Sequence, residues 1–315
     1  MSRAFGPRPP GIPPETEEEW KNLVKRHYQG SAPPLHQVTW TGGASHVSDK
    51  NFLSLRVIWP KVADVEAQMN EDMLQKIGIF RRYKAVEAWL NEFPPFQDYL
   101  KQCRRNGKTE AWKRGDSSKA AFGLGAMDVP RQLQTALISH IQDRPPIVDE
   151  ETVLSSLISF LGAVTMRHPD VKCVALPVKK EFSAKFGASN LIAKVDGWLY
   201  EIKTKQVRAL IETKRASQPS RPPSVPKQQS AEIVAFLRAH NPTPSSPFFI
   251  FSQEGLNIYL IAVQFTGNYL AYVSGNRAQR DFLSMRRFGP WSIQRADDLD
   301  KVAKLALAVA TLGRQ

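Results

Sequence analysis

Hydrophobic and polar positions follow two periods along this chain, one helical and one extended. Apolar residues recur every three or four positions in several stretches, and one of these follows Asp149, a residue type that caps helix N-termini. In residues 15–27 acidic residues precede basic ones, as the helix dipole favours. Pro94 and Pro95 interrupt the helical pattern of residues 62–100. The predicted helices cover residues 15–27, 62–100, 149–166, 228–238 and 299–312.

Short apolar runs bounded by turn-forming residues predict strands in the second half of the chain. These runs cover residues 173–178, 191–195, 198–202, 207–213, 248–252, 256–263 and 269–273. Residues 107–125 and 215–227 are rich in small, polar or proline residues and are expected to be loops. Strands on both sides of a helix predict a mixed α/β domain.

The pattern changes near residue 148, and this change predicts a domain boundary. Residues 1–14 contain five prolines and are expected to form a disordered arm. Residues 15–147 are expected to form a mainly helical, basic region. Residues 148–315 then form the α/β domain with a C-terminal helical extension.

The net charge points to a polyanionic partner. The 315 residues include 43 Lys and Arg against 30 Asp and Glu, which gives a formal charge of +13. Cations that neutralise phosphates release condensed counterions, so this excess favours nucleic acid, although acidic proteins or an anionic membrane surface are alternatives. Two cysteines and no apolar run of about 18 residues favour an intracellular protein that does not span a membrane, and nuclear localisation follows from the expected partner.

Basic residues interleaved with aromatic ones are candidates for contacts with nucleic acid. The alternatives are a solvated helix face for residues 76–114 and, for residues 276–295, a tail helix that covers the sheet. The candidate nucleic-acid-binding residues are Arg81, Arg82, Arg104, Arg105, Arg215, Arg286 and Arg287.

The candidate chemistry lies in residues 193–215. Glu212 and Lys214 are two apart in a predicted strand and therefore share a face. Asp196 ends an earlier strand and precedes Gly197, so two carboxylates can converge if the strands are neighbours. Two hard oxygen ligands suit Mg²⁺ or Mn²⁺, and the lysine can orient water or stabilise charge on phosphorus. The alternative is a surface ion pair on an ordinary strand.

Three segments together resemble the PD-(D/E)XK nuclease superfamily, and in particular its fungal nuclease-like branch. They are Lys194 to Leu199 with its Asp-Gly, Ala209 to Lys214 with its Glu-x-Lys, and the glutamine-led helix from Gln228 to Leu237. Residues 249–260 match the serine-containing strand and aromatic hairpin that follow in that branch. The resemblance covers roughly residues 148–275.

This resemblance implies an αβββαβ restriction-endonuclease-like core and Mg²⁺-dependent hydrolysis of phosphodiester bonds by metal-activated water, in DNA before RNA. It implies that Asp196 and Glu212 are the metal ligands, that Lys214 is the catalytic lysine and that Gln228 lies beside the site. A further acid on the first helix is expected in the family, and Asp149, Glu150 and Glu151 all compete for that position, where helix capping also accounts for them.

Two other classes of function are compatible with the sequence. The chain can be a catalytically silent nuclease-fold module that binds nucleic acid. It can also bind a protein partner through its N-terminal region, within a larger assembly. Zinc-site, dinucleotide-loop, serine-hydrolase and phosphate-loop motifs are absent from the sequence.

Overall fold

The fold is known from a computed structural model that describes residues 12–62, 69–108, 124–142, 149–215, 225–244, 247–276 and 281–312. The helices within these ranges are α1 (Glu17–His27), α2 (Asp49–Ser54), α3 (Glu71–Lys76), α4 (Phe80–Asn91), α5 (Pro94–Lys108), α6 (Asp128–Gln142), α7 (Glu150–Thr165), α8 (Val225–His240), α9 (Gly267–Val273) and α10 (Ala296–Ala310). The strands are β1 (Val57–Ile58), β2 (Cys173–Leu176), β3 (Lys180–Phe186), β4 (Ser189–Val195), β5 (Gly197–Glu201), β6 (Gln206–Lys214), β7 (Phe248–Glu254), β8 (Asn257–Gln264) and β9 (Leu283–Ser292).

A seven-stranded mixed sheet forms the centre of the α/β fold. Its strand order is β1-β9-β8-β7-β6-β5-β2, and β3 pairs with β4 in a separate hairpin. β6 and β7 run parallel and are joined through α8, while β5 and β6 run antiparallel. β1 adds to the far edge, parallel to β9.

Two hydrophobic layers cover the faces of this sheet. Ala209 and Ile211 of β6 contact a core cluster shared with α3 to α7 and α10, whereas Leu210 contacts a second cluster shared with α1, α2, β3, β4, α8 and α9. Successive strand residues point to opposite faces, so a strand buried on both faces must be apolar at every position. This requirement explains the unbroken run Ala209–Ile211 immediately before Glu212.

The local signals for several helices are confirmed. Thr16 caps α1 by accepting from the Glu19 backbone N–H, and Asp149 caps α7 by accepting from that of Glu151. α4 ends at Asn91 and α5 begins at Pro94, where proline needs no backbone hydrogen-bond donor. α10 confirms the predicted C-terminal helix.

Two predictions from the second half of the chain are wrong, and one strand was missed. Residues 269–273 belong to α9, which Thr266 caps by accepting from the Tyr269 N–H, and not to a strand. Residues 283–292 form β9 and not a tail helix, because they pair with β8 inside the sheet. β3 was not predicted, although Phe182, Ala184 and Phe186 alternate with exposed residues as a half-buried strand requires.

The N-terminal region packs with the rest of the chain. Both hydrophobic clusters contain residues from before and after the predicted boundary near residue 148. The predicted arm of residues 1–14 is ordered at its end, because Pro13 and Pro14 are buried and the Pro14 carbonyl accepts from the Trp59 N–H at 2.7 Å. Residues 1–11 lie outside the described residues, as do 109–123 of the first predicted loop and 216–224 of the second.

Candidate active site

The predicted site residues meet at the carboxyl end of β6. Glu212 lies opposite Ser252 of the parallel strand β7, and Lys214 is the last residue of β6. Asp196 occupies the bend between β4 and β5, and its backbone N–H donates to the Ile211 carbonyl at 3.2 Å. The antiparallel pairing of β5 with β6 therefore brings Asp196 beside the Glu-Thr-Lys end of the neighbouring strand.

Asp196 is oriented by the residue between Glu212 and Lys214. Its Oδ2 accepts from both the backbone N–H and the Oγ1 of Thr213, each at 2.8 Å. These two hydrogen bonds fix the carboxylate, which is half-buried. The sequence analysis assigned no role to Thr213, which is fully buried and positions Asp196.

Glu212 is buried, with 1% of its surface exposed. Its Oε1 accepts from Lys214 Nζ and, at 2.9 Å, from Gln228 Nε2. Its Oε2 is buried and has no hydrogen-bond partner among the described residues. A buried carboxylate oxygen without a donor is costly, and such an atom is a natural ligand for a cation.

Gln228 links Glu212 to a further carboxylate that the sequence analysis missed. Its Nε2 also donates to Glu232 Oε1 at 2.7 Å, and Glu232 is buried on α8. The signal was present in the sequence, because residues four apart on a helix share a face. Glu232 lies neither on a strand nor on the first helix of the α/β domain, the two places where site carboxylates were expected.

Lys214 is held by two elements. Its Nζ donates to Glu212 Oε1, to Glu150 Oε1 of α7 at 3.1 Å and to the Thr213 carbonyl at 3.0 Å. Glu150 is therefore the member of the acidic helix start that reaches the site, whereas Glu151 pairs with Lys179.

Burial and like charges shift the titration of the site. Burial raises the pKa of Glu212 well above its usual range, and the charge of Glu232 adds to this rise while that of Lys214 opposes it. Burial raises the pKa of Glu232 to about 7, against the hydrogen bond from Gln228. Burial alone would lower the pKa of Lys214, but the charges of Glu212 and Glu150 outweigh it and raise that pKa. Lys214 therefore stays protonated at neutral pH.

A cleft of about 330 Å³ lies beside Gln228 and Glu232. Gln228 and Glu232 line one side, and Ile192 and Lys194 of β4 line another. Residues 43–45 of the N-terminal region complete the wall, where Gly43 pairs with Ile192. The N-terminal region, which was predicted to be separate from the α/β domain, thus lines the cleft beside Gln228 and Glu232.

The site offers few ligands for a metal ion. No group of three or more His, Cys, Asp or Glu side chains is arranged to hold a metal among the residues that the structure describes. Asp196 and Glu212 still fit Mg²⁺, which commonly binds through one or two carboxylates and keeps several waters. The buried Oε2 of Glu212 is the atom that carries this fit.

The predicted nucleic-acid contacts are scattered. Arg81, Arg82, Arg104 and Arg105 are exposed on α4 and α5, which pack on α10. Arg104 pairs with Asp297 at 3.4 Å. Arg215 is exposed directly after Lys214 and is the predicted arginine next to the site in sequence.

Arg286 and Arg287 are engaged within β9 and its neighbours, because β9 lies inside the sheet. Arg286 donates to Gln264. Arg287 pairs with Glu254 at 2.5 Å and stacks 3.5 Å from the Tyr259 ring centre. Both side chains are half-buried.

Comparison with known proteins gives no indication of function beyond that of the site itself. No protein family, no curated protein and no solved structure matches the chain. Among the described residues, no helix is long and apolar enough to cross a membrane.

Proposed function

We propose that this protein is a Mg²⁺-dependent nuclease that hydrolyses phosphodiester bonds, in DNA before RNA, with an αβββαβ core like that of the PD-(D/E)XK nucleases. The observation that carries the proposal is the convergence of Asp196, Glu212 and Lys214 at the carboxyl end of β6, with Gln228 donating to Glu212. The element order from α7 through β7, with β6 and β7 parallel, is compatible with such a core.

Each residue has a role that follows from its surroundings. Asp196 and Glu212 would hold the cation, which supplies positive charge against the negative charge that develops on the phosphoryl oxygens. Thr213 keeps Asp196 in place, and Gln228 keeps Glu212 in place. Lys214 acts as a cation and hydrogen-bond donor, because its raised pKa keeps it protonated. Water adds to phosphorus, and the ester P–O bond breaks to release the alcohol.

The second candidate is a silent nuclease-fold module that binds nucleic acid. The contact of Lys214 Nζ with both Glu212 and Glu150 favours it, because an internal ammonium already compensates the carboxylates that a metal would occupy. The two candidates differ in turnover and not in fold.

A cleavage assay separates the two candidates. Plasmid, single-stranded DNA and RNA are each incubated with the full chain in Mg²⁺, Mn²⁺ or EDTA, beside Asp196→Ala and Lys214→Ala. Glu181→Gln is the control variant, because Glu181 is half-exposed on the β3–β4 hairpin and pairs with Lys194 rather than with a proposed metal ligand.

The nuclease proposal expects cleavage that requires a divalent cation and is lost in both site variants, with the control active and all proteins folded by circular dichroism. Full activity in Asp196→Ala overturns the assignment of residues. Binding of nucleic acid without cleavage in any metal selects the silent module.

A further inference from the structure

A second cavity lies at the opposite edge of the sheet from β2, next to β1. It has a volume of about 540 Å³ and is lined by α1, by residues 30–34, by Arg56 and by Tyr272. Three strands, β9, β8 and β7, separate β1 from β6, so this cavity is distinct from the candidate active site. Its volume is within the range of about 300–1,000 Å³ that small-molecule sites occupy.

Aromatic rings hold the Arg56 guanidinium at this cavity. Its central carbon lies 4.2 Å from the ring centre of Phe282, 4.7 Å from that of Trp20 and 5.9 Å from that of Tyr272. The Trp20 ring is itself fixed, because its Nε1 donates to the Leu53 carbonyl at 3.0 Å. Arg56 Nε donates to the Asp281 carbonyl at 3.2 Å, which sets the plane of the guanidinium. This arginine is oriented before any ligand arrives.

The backbone of Arg56 adds an independent observation. Its φ is +54°, a left-handed conformation that glycine adopts more cheaply than any residue with a side chain. Strain of about 1–3 kcal/mol at such a position is typical of functional sites. The position follows Leu55, the C-cap of α2, and the side chain it carries is the guanidinium that stacks on the three rings.

The charge of the cavity wall selects the ligand. Lys21 and Lys25 lie one helical turn apart on α1 and line the cavity with Arg56, and Glu18 is the one acid among the described lining residues. A planar guanidinium with two ammonium groups matches phosphate oxygens, and a cavity of about 540 Å³ has room for the nucleoside that carries the phosphate.

We propose that this cavity binds the phosphate of a nucleotide, with Arg56 as the preorganised anchor and Lys21 and Lys25 at its rim. The nucleotide is either free or the terminal nucleotide of a single strand. The proposal does not depend on cleavage at Asp196 and Glu212, and its test is carried out in EDTA so that the two can fail separately.

Fluorescence anisotropy of a labelled ten-nucleotide single-stranded DNA, with a 5′-phosphate or a 5′-hydroxyl, measures binding to the full chain. ADP and inorganic pyrophosphate serve as competitors. The variants are Arg56→Gly, which removes the guanidinium while it relieves the positive φ, and the double charge reversal of Lys21→Glu with Lys25→Glu. Lys203→Glu is the control, because Lys203 is exposed in the β5–β6 turn at the other edge of the sheet.

We expect Arg56→Gly and the double variant each to raise Kd at least tenfold, with Lys203→Glu changing it less than twofold and the melting temperature of Arg56→Gly within a few degrees of wild type. Displacement by ADP identifies a free nucleotide as ligand, and a preference for the 5′-phosphorylated strand identifies a strand end. Unchanged affinity in Arg56→Gly, or no binding of strand, ADP or pyrophosphate at millimolar concentration, overturns the proposal.

Discussion

Replacement of Glu232 by glutamine should make this protein more stable at neutral pH. Glu232 is 1% exposed and accepts one hydrogen bond, from Gln228 at 2.7 Å. Glutamine has the same shape, and its side-chain oxygen can accept the same hydrogen bond. The substitution therefore removes a buried ionisable group and leaves the packing of α8 unchanged.

The magnitude follows from the shifted titration. Burial raises the pKa of Glu232 from 4.5 to about 7, so the folded protein keeps a proton that the unfolded chain loses between these pH values. A raised carboxyl pKa lowers the free energy of unfolding as pH rises through this window, and the full penalty is present above the folded pKa. At about 1.36 kcal/mol per pKa unit, the wild type should lose about 2–3 kcal/mol relative to Glu232→Gln between pH 5 and pH 8.

Equilibrium urea unfolding in EDTA at pH 5 and pH 8, followed by tryptophan fluorescence, measures this difference. The extra amide N–H of glutamine adds a cost that does not change with pH. The test is therefore how much the difference in unfolding free energy between Glu232→Gln and wild type changes from pH 5 to pH 8. Glu181→Gln on the exposed hairpin should shift stability by less than about 0.5 kcal/mol at both pH values. A difference between Glu232→Gln and wild type that is equal at pH 5 and pH 8 would refute the reasoning.

Three further substitutions test the packing, each by urea unfolding at pH 7. Arg208→Ala should lower the free energy of unfolding by about 3 kcal/mol, because it leaves the buried carboxylate of Glu201 without its partner at 2.5 Å. This loss should shrink in acid, because Arg208 outweighs burial and lowers the pKa of Glu201. A loss that does not change with pH would contradict this explanation. Gly197→Ala should cost about 1–3 kcal/mol, because a Cβ there would lie 2.5 Å from the Leu176 carbonyl oxygen; a neutral effect would show that β2 and β5 separate freely. Gly162→Ala in α7 should instead stabilise by about 0.5–1 kcal/mol, because nothing lies closer than 4.0 Å, and destabilisation would contradict the open space.

Helices with local signals were predictable from the sequence, and so was the strand that carries Glu212. Caps, dipole order and apolar stripes act within a few residues, so α1, α7 and α10 could be placed without knowing the fold. β9 could not be predicted in this way, because its arginines and its glycine-proline step are not typical of a strand. It forms a strand because β8 and β1 pair with it on either side. α9 is buried and short, and a short apolar run has no period that separates helix from strand.

The candidate site was predictable only in part. One segment of the sequence contains four of the site residues at a spacing that predicts their proximity: Asp196, Glu212, Lys214 and Gln228. The contact of Lys214 with Glu150 joins residues 64 apart in the sequence. The cleft wall formed by residues 43–45 depends on how the N-terminal region packs against β4, which no local sequence pattern predicts. Glu201 is buried although it lies beside a hairpin turn, because Arg208 across the β5–β6 turn neutralises it, and this pairing could not be predicted from the sequence.

Binding of Mn²⁺ tests the proposed metal site most directly, because the nuclease requires Asp196 and Glu212 to hold a divalent cation. The electron paramagnetic resonance signal of free Mn²⁺ counts bound ions in the full chain and in Asp196→Asn, with Glu181→Gln as control and a short oligonucleotide present. We expect saturable binding by wild type and control, weakened at least tenfold in Asp196→Asn. Equal binding in all three proteins, or none at millimolar Mn²⁺, would contradict it.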